Sequence, residues 1–208
     1  MKPKLTFGNI TFDDIIEYFD VSQKYEDNII NISNIEISKE DRDMLEILIH
    51  KHKVYFMDYS EEEIKMMFIS PILNNISLNG INAREWFERE LSFEFENVII
   101  SGKTDFMLAS GTINPKEPYF FIQEYKKAIP SNNPKWQLLA ELLVAINKNR
   151  DSLILGTYII GQYWYFVKLI KKDNSYILYN IDSYDSLKID DLVIIYKNLQ
   201  AVKSLYCK

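Results

Sequence analysis

The chain has 208 residues, 47% of them hydrophobic and 14% aromatic, which is enough to bury one sizeable core and too apolar for a disordered or fibrous chain. Its 24 basic and 30 acidic residues leave a net charge of −6, so there is no global attraction to a phosphate backbone. A single cysteine, Cys207, excludes an intramolecular disulfide and a cysteine-based zinc site; with no apolar run of about 18 residues, the expectation is a cytoplasmic chain with no membrane partner.

Residues 11–58 read as mainly helical with a strand-like interruption. "TFDDIIEYFD" opens with a threonine cap ahead of Phe12, Ile15, Ile16 and Phe19, and "SKEDRDMLEILIHKHK" opens with a serine and an acidic first turn. This region, residues 1–58, is expected to be an N-terminal helical appendage to a domain spanning 59–208. Its two histidines, His50 and His52, are two apart and point to different sides of a helix, a poor spacing for metal ligands.

"YSEEEIKMMFISPILNNI" is a clearer helix. Ser60 is the expected cap, Glu61, Glu62 and Glu63 sit where the helix dipole favours acids, and Ile64, Phe68 and Ile72 form one apolar stripe. Of the three acids, Glu61 is in line with that stripe and is the one expected to face inward. The period then changes to two. "AREWFERELSFEFEN" and "VIISGKTDFMLAS" make a hairpin turning at Glu96 and Asn97, and "YFFIQEYKK" follows as a third strand after a loop holding two prolines. "NPKWQLLAELLVAINKNR" is a helix with Asn133 as cap and Pro134 in first position. It is apolar around nearly its whole circumference. Gln137 and Glu141, one turn apart, form its narrow polar stripe, which either faces a polar group inside or is solvated. "SLILGTYIIGQYWYFVKLIKK" and "NSYILYNIDSYD" read as two further strands, and "LKIDDLVIIYKNLQAVKSLY" as a last helix. The order predicts an α/β fold, a mixed central sheet of about five strands flanked by helices.

Charge gathers at the strand ends. In a strand, residues two apart share a face, so Glu124 and Lys126 point the same way, and Asp105 on the neighbouring strand can lie beside Glu124. Burying such charge unpaired costs several kcal/mol, which calls for an ion pair or a metal ion. Two converging carboxylates make a hard oxygen site suited to Mg²⁺ or Mn²⁺, and a lysine beside it can hold an attacking water and stabilise charge on a phosphoryl oxygen. The bland alternative is a structural ion pair of Asp105 with Lys126, with Glu124 paired to Lys103 or Lys127.

"SGKTDFML", then "FFIQEYKK", then "KWQLLAEL" resembles the D…ExK core of the PD-(D/E)xK nuclease superfamily, the restriction-endonuclease-like fold. "SEEEIKMMFISPIL" ahead of it resembles the helix that supplies a further acid in many members, as in the nuclease domains of type I restriction subunits. The resemblance covers about residues 60 to 183, with Thr104 in place of the family's proline. It implies that Asp105 and Glu124 bind the metal with the Tyr125 carbonyl, that Glu61 is the helix acid, with Glu62 and Glu63 as alternatives, that Lys126 is the catalytic lysine, and that Gln137 braces the site. The implied activity is a Mg²⁺- or Mn²⁺-dependent endonuclease, a hydrolase acting on DNA. Cutting both strands with one site per chain calls for a homodimer. A local basic strip would then come from Lys126, Lys127, Lys135, Lys148 and Arg150, and a base-stacking platform from Tyr158, Tyr163, Trp164, Tyr165 and Phe166. The competing reading is a catalytically inactive nuclease-fold protein serving as a binding or scaffold subunit in a defence or nucleic-acid-processing assembly. No glycine-rich phosphate loop is present, which disfavours an NTPase.

Overall fold

The computed structural model describes residues 2–127 and 133–207. In chain order the elements are β1 (Lys4–Thr6), α1 (Phe12–Tyr18), β2 (Asp20–Tyr25), α2 (Lys39–His52), α3 (Glu61–Ile64), a π-helical turn at Lys65–Ile69, α4 (Ser70–Ile76), β3 (Arg84–Glu94) and β4 (Ile99–Ser110). Then follow β5 (Lys116–Lys126), α5 (Pro134–Asn149), β6 (Leu153–Ile160), β7 (Tyr163–Lys172), β8 (Ser175–Asn180), β9 (Tyr184–Asp185) and α6 (Ile189–Tyr206). The fold is α/β, with a mixed sheet covered by helices.

Among the described residues the sheet has nine strands, in the order β1-β4-β5-β6-β7-β8-β2, with β3 on β4 and β9 on β7. The expectation of about five strands is thereby corrected, for two physical reasons. First, the N-terminal region is not only a helical layer. β1 runs parallel to β4 and β2 parallel to β8 (Asp20↔Ser175), so this region supplies two strands to the sheet, one beside the start of β4 and one at the β8 margin. β2 is the polar segment DVSQKY with mostly exposed side chains, so it lacks the alternation that signals a half-buried strand. Second, the last two segments expected as single strands each divide: 174–185 gives β8 and the short β9, and the long apolar run at 152–172 is a hairpin. Ile160 pairs with Tyr163 across a two-residue turn, and Gly161 takes a left-handed φ of 58° that a side chain would resist.

β4 is the hub of the site. β3 lies along one of its edges, while the other edge holds β1 near its start and β5 near its end (Lys4↔Ile99, Phe106↔Gln123). β5 then pairs parallel with β6, and α5 makes the crossover between them. Ser60 caps α3 through a reciprocal box with Glu63, and the helix is continuous through the π-turn into α4.

Two apolar layers sandwich the sheet. One, under α2, α3, α4 and α6, includes Leu45, Ile64, Phe68, Ile72, Phe121 and Tyr125. The other, under α5, includes Ile100, Met107, Ile122 and every residue of α5 from Leu138 to Ile146 except Glu141. A helix that is apolar all round must be buried, and α5 is. It presses so close to β6 that a Cβ on Gly156 would stand 3.1 Å from both the Ile122 carbonyl oxygen and a Leu142 methyl. Truncating Leu142 to alanine in such a layer would cost about 2–5 kcal/mol.

Candidate functional site

The antiparallel register that pairs Phe106 with Gln123 sets Asp105, in the middle of β4 rather than at a strand end, beside Glu124 near the end of β5. The Tyr125 N–H donates to Asp105 Oδ2 at 2.8 Å and so fixes the carboxylate against the next strand. Glu124 is 1% exposed, and its Oε1 accepts from Lys126 Nζ at 2.6 Å. The same ammonium is 4.0 Å from Glu61 Oε1, and Glu61 Oε2 accepts the Lys127 N–H at 3.4 Å. The chain therefore brings Asp105, Glu124, Lys126 and Glu61 together from two strands and one helix. Glu61 is the acid of α3 that reaches them, because Glu63 is consumed by the Ser60 cap and Glu62 is largely solvated.

Tyr125 enters through its peptide N–H, as given above, and its side chain packs into the core with its hydroxyl buried and unpartnered. Gln137, on α5, donates from Nε2 to Glu141 Oε1 at 3.2 Å and touches the cluster only through that carboxylate. The polar stripe of α5 thus faces a polar group inside the protein: Glu141 is fully buried, and Glu124 is its strongest charged neighbour.

Two residues of the site were not singled out from the sequence. Lys65, the first residue of the π-turn, reaches Asp105 Oδ1 at 3.0 Å, Glu61 Oε1 and Glu62 Oε1 each at 3.3 Å, and Glu88 Oε1 at 4.0 Å. Glu88 stands opposite Asp105, between the pairs Phe87↔Phe106 and Arg89↔Thr104, and its φ of 52° breaks the ladder at that point. A left-handed backbone at a non-glycine residue costs about 1 kcal/mol or more, and such strain concentrates where structure around it serves a site. A usable signal for Lys65 existed, since it lies one turn beyond Glu61 and faces the same way. None existed for Glu88, because regular alternation says nothing of a reversed φ.

The electrostatics follow from burial. Desolvation, and next the Asp105 charge, push the Glu124 carboxyl up to about 8, against the pull of Lys126. Glu141 is driven well above the usual carboxylate range by burial and then by Glu124. Burial alone would lower Lys65 and Lys126, but Asp105 and Glu61 hold the first, and Glu124, Asp105 and Glu61 the second, above the ordinary lysine value. The outer oxygens remain incomplete: Glu124 Oε2 and Glu141 Oε2 are buried with no hydrogen-bond partner. An orphaned buried carboxylate oxygen is costly, and an additional cation would satisfy it.

These oxygen donors have the hard chemistry that Mg²⁺ or Mn²⁺ takes. Among the described residues, however, no three His, Cys, Asp or Glu side chains are grouped closely enough to hold a metal ion as they stand. The centre of the acidic cluster is filled by the Lys65 ammonium. His52 is engaged elsewhere, its Nδ1 2.9 Å from the Tyr59 hydroxyl.

The surroundings divide the other candidates. Lys148 is paired to Glu117 at 3.6 Å, and Lys135 bonds Gln23 and lies over the Trp136 ring, so both basic groups have local partners. Trp164 and Phe166 are core, and Tyr158 stacks flat on Tyr165 with centroids 4.5 Å apart. Tyr163 is the exposed member of that series, and it lines a cleft of about 370 Å³ with Phe56, Ile64 and Lys127 beside the charged cluster. Among the described residues no helix is long and apolar enough to cross a membrane. The chain matches no protein-family model and no curated protein.

Proposed function

We propose that the chain is a divalent-metal-dependent nuclease of restriction-endonuclease-like fold that hydrolyses phosphodiester bonds in nucleic acid, with DNA as the first substrate to test and the cytoplasm as its place. The observation that carries this reading is the meeting of Asp105, Glu124, Lys126 and Glu61 where the end of β5 lies against the middle of β4, with an unsatisfied Glu124 oxygen among them. Asp105 and Glu124 would hold Mg²⁺ or Mn²⁺, with Glu61 and the Tyr125 carbonyl available to complete the shell. A bound ion of this kind supplies Lewis-acid polarisation of a phosphoryl oxygen and acidifies a bound water.

The chain's own groups do the rest. Lys126, held by Glu124, is positioned to orient a water and to stabilise charge growing on a phosphoryl oxygen. The Tyr125 N–H keeps Asp105 turned toward β5. Gln137 and Glu141 back Glu124 from the α5 side.

The test is cleavage of plasmid, linear and single-stranded DNA and of RNA by purified protein with Mg²⁺, Mn²⁺ or EDTA, run beside Lys126→Ala. Cutting that needs metal and disappears in the variant is the expected result and names the polymer. Cutting that survives EDTA or the Lys126 change would overturn the assignment.

A second reading, an inactive nuclease-fold subunit that binds partners, draws on two observations. The net charge is −6, and an ammonium already fills the acidic centre. It predicts no cleavage and no heat on titration with Mn²⁺.

A further inference from the structure

We infer that Lys65 is an internal counter-ion that stands in the place of a divalent cation, stabilising the metal-free protein and competing with the ion for the same carboxylates. The inference rests on the metal-dependent reading above and goes beyond it by assigning a role to a residue outside the D…ExK set. Four carboxylates, from three separate parts of the chain, lie within 4.0 Å of one ammonium: Glu61 and Glu62 on α3, Glu88 on β3 and Asp105 on β4. A surface lysine ordinarily pairs with one acid in a loose, solvated contact. The Lys65 side chain is 20% exposed and the Asp105 side chain 17%.

The local backbone supports this placement. Lys65 opens the π-helical turn between α3 and α4, and the Ser70 hydroxyl donates to the Lys65 carbonyl at 2.8 Å, which steadies the wider turn. On the opposite side, Glu88 holds a left-handed φ that brings a second carboxylate up to Asp105 across the strands, where two like charges repel unless a cation lies between them. Lys65 is the cation that touches both, at 3.0 Å from Asp105 and 4.0 Å from Glu88, while Lys103 lies 3.9 Å from the other Glu88 oxygen. Not every acceptor of the site gains a hydrogen bond: Glu124 Oε2, in a side chain 1% exposed, stays without a partner. An ion held by Glu124 and Asp105 together would satisfy it and would compete with the ammonium for Asp105 Oδ1.

The experiment titrates MnCl₂ into the full chain by calorimetry, comparing wild type with Lys65→Met and Lys65→Arg, and records melting curves with and without Mn²⁺. Lys65→Met should bind Mn²⁺ about tenfold more tightly, the change expected when an opposing charge interaction of one pKa unit is removed. Metal-free, it should melt below wild type, and saturating Mn²⁺ should raise its melting temperature by more than it raises that of wild type. Lys65→Arg, which keeps the charge, should stay near wild type. Equal or weaker Mn²⁺ affinity in a folded Lys65→Met protein, with measurable binding to wild type, would overturn the role of Lys65 and leave the metal site standing. Absence of binding in both would overturn the metal site, and this inference with it. If Lys65→Met does not fold without metal, Lys65→Gln gives the same comparison with a polar, uncharged side chain.

Discussion

Two polar clusters are built into this sheet, one where the end of β5 lies against the middle of β4 and one where β9 meets α6. In the second, Asp185 is 7% exposed, yet both of its oxygens are engaged: Oδ1 accepts from Gln162 Nε2 and from the Leu187 N–H, each at 3.0 Å, and Oδ2 lies 3.6 Å from Lys188 Nζ. Its own N–H donates to Asp191 Oδ2 at 2.9 Å, tying β9 to the first turn of α6. In the first cluster, five carboxylates (Glu61, Glu62, Glu88, Asp105 and Glu124) and two ammonium groups crowd together, and buried oxygens of Glu124 and Glu141 are left over. The Asp185 carboxylate is closed although the neighbouring Ser186 hydroxyl is buried without a partner, whereas the Glu124 and Glu141 carboxylates are open. Buried polar groups stabilise when every member is satisfied, so a carboxylate left incomplete in a well-packed protein points to a ligand.

The largest expected effect breaks the comparison on the functional side. Lys126→Ala should lower metal-dependent cleavage by about 10²–10³-fold, the range for losing one donor that stabilises developing charge. Its melting temperature should stay close to that of wild type, because the lost partner, Glu124, can take up a proton instead. A folded variant that cuts at the wild-type rate would remove Lys126 from the chemistry.

Next comes the closed cluster. Asp185→Ala leaves two donors and the Lys188 ammonium without their acceptor and should destabilise the protein by about 2–4 kcal/mol in urea melts. The folded fraction should keep its Mn²⁺ affinity. Loss of metal binding without loss of stability would mean that the two clusters are not separate in function.

Glu124→Gln should act in the opposite sense. The Glu124 carboxyl is pushed from an ordinary 4.5 up to about 8, so between those values the folded chain holds a proton that the unfolded chain has released. Stability of the metal-free protein therefore falls as pH rises through that window, and the fall is complete above the folded value. Removing the charge should flatten this slope and stabilise the metal-free protein at pH above 8 by about 1–3 kcal/mol, while abolishing Mn²⁺ binding. A stability curve over pH 4.5–8 unchanged by the substitution would show that Glu124 is ionised throughout, held so by Lys126.

Much of this arrangement was legible in residues. Asn133-Pro134 marked the start of α5, the switch from period 3.6 to period 2 marked β3 and β4, and strand alternation put Glu124 and Lys126 on one face. What could not be read has local causes. β1 and β2 are short and mostly exposed, so their place in the sheet is decided by pairing with distant strands rather than by their own pattern. Gly161-Gln162 turns a hairpin without the asparagine or aspartate that usually announces one. Glu88 looks like any polar position of an alternating strand until its φ is known, and although spacing sets Lys65 one turn beyond Glu61, its approach to Asp105 comes only with the tertiary fold. The identity of the site's acids is a matter of spacing, whereas the cation that holds them together is a matter of tertiary approach.

The smallest effect is the sharpest control. Two helices begin with the same reciprocal cap: Thr11 with Asp14 on α1, and Ser60 with Glu63 on α3. Thr11→Ala and Ser60→Ala should each cost about 1 kcal/mol by removing a hydroxyl that accepts the N3 N–H. The stability losses should match, because the two boxes use the same bonds: hydroxyl to N3 N–H at 3.2 Å in both, and carboxylate to cap N–H at 2.8 Å for Asp14 and 2.7 Å for Glu63. Their effects on Mn²⁺ affinity should not. Ser60 is the residue before Glu61, and a frayed first turn of α3 releases both Glu61 from the Lys127 N–H and the Glu63 carboxylate from its cap, where it competes for the nearby lysines. Thr11 lies on α1, against the α5 layer, with none of the site's acids beside it in sequence. Equal changes in Mn²⁺ affinity from the two substitutions would mean that α3 adds nothing to the ion's shell, and that Glu61 serves Lys65 and Lys126 alone.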